Sequence, residues 1–262
     1  MASPPPPVAR ELLDRAVDWT REAGELTLGW FNHPELTVDR KGDGTPVTQA
    51  DRAAERFLRE RITAAHPDDT IEGEEEATHA GTSTRTWVID PIDGTKAFTH
   101  GVATYSNLLY MADEHGPALG VVNLPALGET VWAGRGRGCF FDGAPTSVSD
   151  RTELAGSYLT VSGFHEWTPA MFDRVNSAGV QVRTWGDAYG YALVASGRVE
   201  AMFDPVLSWW DIAPMLVILP EANGRVTRRD GGDDWSDTSG ELSGLATNGF
   251  LHQQFVDLLG TD

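Results

Sequence analysis

Cysteine is almost missing: Cys139 is the single one in 262 residues, so no disulfide can form within the chain. That suits a reducing cytoplasm, the expected location, and excludes the disulfide-stapled secreted class. Histidine and cysteine also lack the paired spacing of a zinc site. No apolar run approaches the ~18 residues of a membrane span. The start lacks the basic stretch and apolar core of a signal peptide. Positive charge is scarce: 20 Lys and Arg stand against 39 Asp and Glu, a formal net charge of −19. So acidic a surface repels nucleic acid and anionic membranes, and neither is an expected partner. No Gly-Lys pair occurs, which removes a Walker phosphate loop.

What is present is ordinary globular material, with 40% hydrophobic and 23% charged residues, enough for a sizeable core. The length fits one large domain or two tightly fused small ones. Residues 1–7, small and proline-rich, are expected to be a disordered tail. Apolar spacing of three to four predicts a helix from Val8 to Phe31, and a second from Gln49 to Ala65 capped by Thr48. Short β-branched and aromatic runs predict strands at Thr86–Asp90, Tyr105–Ala112, Ala118–Leu124 and Glu129–Ala133. Beyond them strands and helices alternate: strands near 158–161, 180–183, 199–203, 225–228 and 245–247, helices near 169–178, 187–196, 210–222 and 250–259. Pro220 should kink or shorten its helix. This order argues for an α+β half, residues 8–150, and an α/β half, residues 151–262. The acidic, glycine-rich stretch 229–240 reads as a surface loop.

The chemistry concentrates in Trp87-Val-Ile-Asp90-Pro91-Ile92-Asp93-Gly94-Thr95. A buried strand ends in two carboxylates three residues apart across a proline-stiffened bend, able to converge on one hard cation. Gly94 lets the backbone approach a ligand, and the N–H groups of the following turn can bind an anion. Alone, such a segment is as readily a turn with a helix cap. Other acids accompany it. Glu72-Gly73-Glu74-Glu75-Glu76 is either a second acidic site or a solvated run. Asp211, framed by Trp210 and Ile212, and Asp51, after Thr48-Gln-Ala, are either further ligands or acids favoured at helix starts.

Taken in order, Lys41-Gly-Asp-Gly-Thr-Pro-Val-Thr-Gln-Ala-Asp51, Gly73-Glu74-Glu75, Trp87 to Thr95 and Trp210-Asp211-Ile-Ala resemble the signatures of the inositol monophosphatase superfamily, magnesium-dependent and lithium-sensitive phosphatases. The resemblance runs from about Leu12 to Leu259. It implies a layered αβαβα sandwich and a homodimer acting on a small phosphorylated metabolite. It further implies that Glu74, Asp90 and the Ile92 carbonyl bind one magnesium ion. Asp90 bridges to a second ion held by Asp93 and Asp211, and Glu74 helps hold a looser third; manganese could substitute. Asp93, Gly94 and Thr95 would hold the phosphate. Thr95 and Asp51 would orient the attacking water, with Glu74 also in the catalytic set. Glu75 is a helper rather than a ligand.

The chemistry is sound on general grounds. Phosphate monoesters hydrolyse extremely slowly unaided. Clustered carboxylates favour magnesium or manganese, which can activate water and stabilise a leaving alkoxide. The resemblance also turns Gly186-Asp187-Ala188 and Asp204, seven residues before Asp211, toward the alcohol part of the substrate, together with Asp211. Two carboxylates there would favour a cationic amine or imidazole, because charge-assisted bonds are stronger. With Gly94-Thr95-Lys96, this resembles the histidinol-phosphate phosphatase branch. The alternatives are an inositol-1-monophosphatase, a fructose bisphosphatase or a bisphosphonucleoside phosphatase. A silent metabolite-binding relative would be marked by a missing ligand carboxylate, and none is missing. Trp185, Trp209 and Trp210 are candidate pocket walls or simply core.

Overall fold

Five layers arise because each apolar face finds a partner. The computed structural model describes residues 4–42, 44–238 and 240–260. A seven-stranded sheet follows the chain: Thr70–Gly73, Thr86–Asp93, Ser106–Asp113, Gly116–Leu124, Glu129–Gly134, Gly138–Phe141 and Ala144–Thr146 lie side by side in that order. Its first pair is parallel and the rest antiparallel, as short hairpin turns allow. A five-stranded sheet has the order Gln181–Arg183, Tyr158–Val161, Ala201–Leu207, Leu242–Thr247, Arg225–Thr227. Its first three strands are parallel and linked through helices, the crossover that parallel pairing demands.

Helices Arg10–Trp30 and Gln49–Ala65 cover one face of the larger sheet, with Leu13, Ala16, Leu58 and Ile62 against Trp87, Ile89 and Leu109. Helices Asp187–Ala195 and Met215–Glu221 lie between the sheets, in a core that joins Val88, Leu108 and Val122 to Met202 and Ala246. Helices Pro169–Ser177 and His252–Leu259 close the outer face of the smaller sheet through Met171, Val175, Phe255 and Leu259. Each large apolar side chain so buried contributes about 1.5–3 kcal/mol before entropy is counted. The outcome is the αβαβα sandwich that the sequence implied.

Local departures have physical causes. The helix expected from Trp210 to Ala222 is two, Trp209–Ile212 and Met215–Glu221, because Pro214 has no N–H to continue the first. Pro220 is tolerated in the last turn, and Asn223 then takes the left-handed backbone (φ 64°) that ends the helix. The strand expected to stop at Asp90 continues to Asp93. Strands Gly138–Phe141 and Ala144–Thr146, short and glycine- or proline-bearing, add to those read from the sequence. Within the stretch expected to be a tail, the Pro6 carbonyl accepts Arg135 Nε–H at 2.9 Å. Met1, Ala2 and Ser3 lie outside the described residues. No helix among the described residues is long and apolar enough to cross a membrane.

Candidate active site

The strand Thr86–Asp93 runs through the middle of the larger sheet, and its end is where the acids gather. Strict alternation would point Asp90 and Asp93 to opposite faces. Register prevents that: Asp90 pairs with Leu108 and Asp93 with Ser106, leaving Pro91 and Ile92 opposite Asn107 alone. The extra residue is a β-bulge, and it brings both carboxylates to one side. Pro91 fits there because a bulge needs no ladder N–H from it. Its carbonyl accepts Asn107 Nδ2–H at 2.6 Å. Carboxylate oxygens of Asp90, Asp93 and Asp211 all lie within 4.8 Å of one another.

Each acid is held by bonds that leave the site side open. Asp90 Oδ1 accepts the Ile92 N–H at 3.0 Å. Asp93 Oδ2 accepts Ser106 Oγ–H at 3.0 Å and Ala188 N–H at 2.7 Å, tying the larger sheet to the helix Asp187–Ala195. Asp211 Oδ2 accepts the Ser208 N–H at 2.7 Å, and Asp51 Oδ2 accepts the Thr48 N–H at 2.8 Å. Both are capping-box acids, so helix cap and site acid are the same residue rather than alternatives. Asp51 Oδ1 faces Thr95 Oγ1 at 3.5 Å, and that hydroxyl donates to the Ile92 carbonyl at 3.0 Å. Gly94 adopts the left-handed backbone (φ 75°) that turns strand into the short helix Thr95–Thr99.

Glu74 is half-buried beside Asp90. Its loop hangs on Glu55, a fully buried carboxylate of the helix Gln49–Ala65 that accepts the Glu75 and Glu76 N–H groups at 2.8 and 3.0 Å. Lys41 Nζ contacts Glu74 Oε1 and Glu75 Oε1, each at 2.6 Å. Burial would lower this ammonium, but the two glutamates outweigh it and hold it above the usual lysine range.

Asp187 faces Lys96, while Asp90, Asp93, Asp211, Asp204 and Asp51 are governed chiefly by burial and by one another. Burial, reinforced by Glu74, Asp93 and Asp211, raises Asp90 well above the carboxylate range. Burial with Asp187 and Asp211 does the same to Asp93. Burial pushes Asp211 and Asp204 up to about 7 and Asp51 up to about 6. Packed carboxylates repel one another until a cation enters. An oxygen-only donor set of this kind fits a hard divalent cation.

Glu74, Asp90, Ile92, Asp93, Gly94, Thr95, Asp187, Ala188, Asp204 and Asp211 all line one cleft of about 690 Å³. Asp51 stands behind Thr95. Two expectations for the alcohol end need restating. Gly186 does not line the cleft; it packs on the Ser162 backbone, where any Cβ would collide. Ala188 lines it, but its N–H is committed to Asp93. Asp187 begins its helix with a left-handed backbone (φ 54°), its N–H donating to Ser162 Oγ at 2.7 Å. Trp210 is a wall of the cleft. Trp209 packs edge-on to Tyr110, and Trp185 stacks on Tyr158 at the surface. Lys41, Glu55, Ser162, His165, Tyr191 and Glu241 also frame the site and escaped the sequence reading. Lys41 alone stood inside a quoted motif. Glu241 follows directly on the stretch 229–240 that was read as mere surface.

One substitution tests the cradle. At Gly94 a Cβ would meet Asp187 Oδ2 at 3.0 Å and suffer the left-handed backbone. Gly94→Ala is expected to lower kcat/KM at least tenfold while the circular dichroism spectrum stays that of the wild type; unchanged turnover would show that the close approach is unimportant.

A two-sheet sandwich with clustered carboxylates beside a left-handed glycine and a helix start is the apparatus of a phosphoric monoester hydrolase, and comparison with known proteins agrees. The chain belongs to the inositol monophosphatase family, whose model matches residues 9–260. Histidinol-phosphatase of Chlorobaculum parvum is 43% identical over 216 residues, 81% of this chain and 83% of its own. Histidinol-phosphatase of Mycobacterium tuberculosis is 38% identical, covering 90% and 93%. The solved IMPase of Thermotoga maritima superposes with a TM-score of 0.85 at 30% identity, covering 95% and 96%.

Proposed function

We propose that the enzyme hydrolyses L-histidinol phosphate to histidinol and phosphate, using magnesium, as a cytoplasmic homodimer. The observation that carries the substrate is the pair of carboxylates, Asp187 and Asp204, on the cleft wall, with Asp187 at the edge of the cradle beside Gly94. A polyol can donate hydroxyl hydrogens to these carboxylates, and an amine or an imidazolium gains more, because donor and acceptor are then both charged. The two relatives named histidinol-phosphatase support the same choice.

Glu74, Asp90 and the Ile92 carbonyl would hold one magnesium ion; Asp90, Asp93 and Asp211 a second; Glu74 would help with a looser third. Bound there, the ions lower the pKa of water and stabilise the departing alkoxide. The chain's own groups do the rest. Gly94 and Thr95 N–H groups receive the phosphoryl oxygens. Thr95 Oγ1 orients the attacking water, and Asp51 Oδ1, kept basic by its buried setting, takes up the proton.

Phosphate release from L-histidinol phosphate, inositol-1-phosphate and an adenosine bisphosphate, with and without magnesium, tests this reading. The first ester should give the highest kcat/KM, and chelation should remove turnover. Faster release from inositol-1-phosphate would shift the choice to that alternative.

A further inference from the structure

Tyr191 lies in the helix Asp187–Ala195 with 1% of its surface exposed, yet it reaches the wall of the cleft. Its Oη is buried and completes no hydrogen bond. Phenylalanine would fill the same space without stranding a hydroxyl. Room is kept for that hydroxyl: a Cβ on Gly244, in the neighbouring strand Leu242–Thr247, would stand 2.7 Å from Oη. The charge it faces is Asp204, with Asp211 and Asp93 beyond.

Asp204 is itself 6% exposed. Its Oδ1 accepts a long bond, 3.3 Å, from the Ser162 N–H. The strand shifts register immediately after Asp204. The same Ser162 accepts the Asp187 N–H through its hydroxyl, so one residue links both acids of the alcohol end. The second Asp204 oxygen needs a donor if the carboxylate is to hold one orientation in a nearly dry wall, and Tyr191 is placed to be it.

We propose that Tyr191 is a positioning residue for the leaving alcohol. Its hydroxyl donates to Asp204 as that carboxylate turns toward a cationic group of the ester, and so sets the preference for a cationic over a neutral alcohol. This rests on the reading of the substrate given above. Tyr191 touches neither the attacking water nor the phosphate; it acts through Asp204.

The experiment compares wild type, Tyr191→Phe, Asp204→Asn and the double variant on L-histidinol phosphate and on inositol-1-phosphate. Calorimetry of L-histidinol binding to the metal-free protein gives a second readout. In Tyr191→Phe the ratio of kcat/KM values, cationic over neutral ester, should fall about tenfold, chiefly through KM for the cationic ester. L-Histidinol should bind about tenfold more weakly. The double variant should be no worse than Asp204→Asn alone, since the two groups act as one. Equal losses on both esters, a loss in kcat only, or additive effects in the double variant would reduce Tyr191 to a packing residue and overturn the proposal. If wild type shows no preference for the cationic ester, the substrate reading falls and this inference with it. If wild type shows the preference and Tyr191→Phe keeps it whole, the inference alone falls.

Discussion

Asp90→Asn is expected to abolish phosphate release, by more than about a hundredfold, while making the metal-free protein harder to melt. The loss of rate exceeds what outer partners of a metal site already cost when removed, about 10–100-fold. Asp90 stands between Glu74, Asp93 and Asp211, so no neighbour can replace its charge toward the ions. The gain in stability follows from the same crowding. These carboxylates titrate higher in the folded chain than their ordinary value of 3.8, Asp211 up to about 7. The folded state therefore binds more protons than the unfolded one between those limits, and their contribution to stability falls as pH rises from about 4 through about 7. Asparagine removes one charge from the group and keeps its shape. Melting temperature should rise by roughly 2–4 °C for each kcal/mol of repulsion relieved. Magnesium should raise the wild-type midpoint and leave the variant's nearly unmoved. Differential scanning fluorimetry across pH, with and without magnesium, measures all of this; a metal-free Asp90→Asn that melts lower at pH 7 would contradict the electrostatic account.

The second large effect is expected at Asp187. Asparagine is the sharper replacement, because it tolerates the left-handed backbone that alanine resists. A charge-assisted bond lost is worth about 1.5–3 kcal/mol, which is roughly ten- to a hundredfold in kcat/KM. That loss should fall on L-histidinol phosphate and spare inositol-1-phosphate by comparison. Asp187→Ala should add a loss common to both esters, because it also strains the helix start next to Gly94. Steady-state kinetics with both esters separates the two contributions, and equal losses in Asp187→Asn would remove the charge contact.

The acids of the site could be read from the chain because their positions are encoded locally. Asp90 and Asp93 sit three apart beside a proline, and Asp51 and Asp211 sit where helix starts want a carboxylate. What could not be read depends on how one sheet meets another. Ser162 matters because the packing of the smaller sheet and the helix Asp187–Ala195 brings it against both Asp187 and Asp204, and no spacing announces that. Glu55 looked like one more acid on a helix; it is buried because the glutamate loop folds over it. The division of the helix after Trp209 was visible in Pro214, but the apolar pattern on both sides masked it. Trp185 shows the converse, since a large aromatic beside a site motif came out on the surface.

The single extra residue between Asp90 and Asp93 constrains how this enzyme can evolve. Ile92 can drift among apolar side chains of similar bulk, since its side chain is buried and it is its carbonyl that takes the Thr95 hydroxyl. Length matters in a different way: removing one position there would restore plain alternation, which keeps both acids on one face but loses the bend and the stronger twist that the bulge imposes on the strand end.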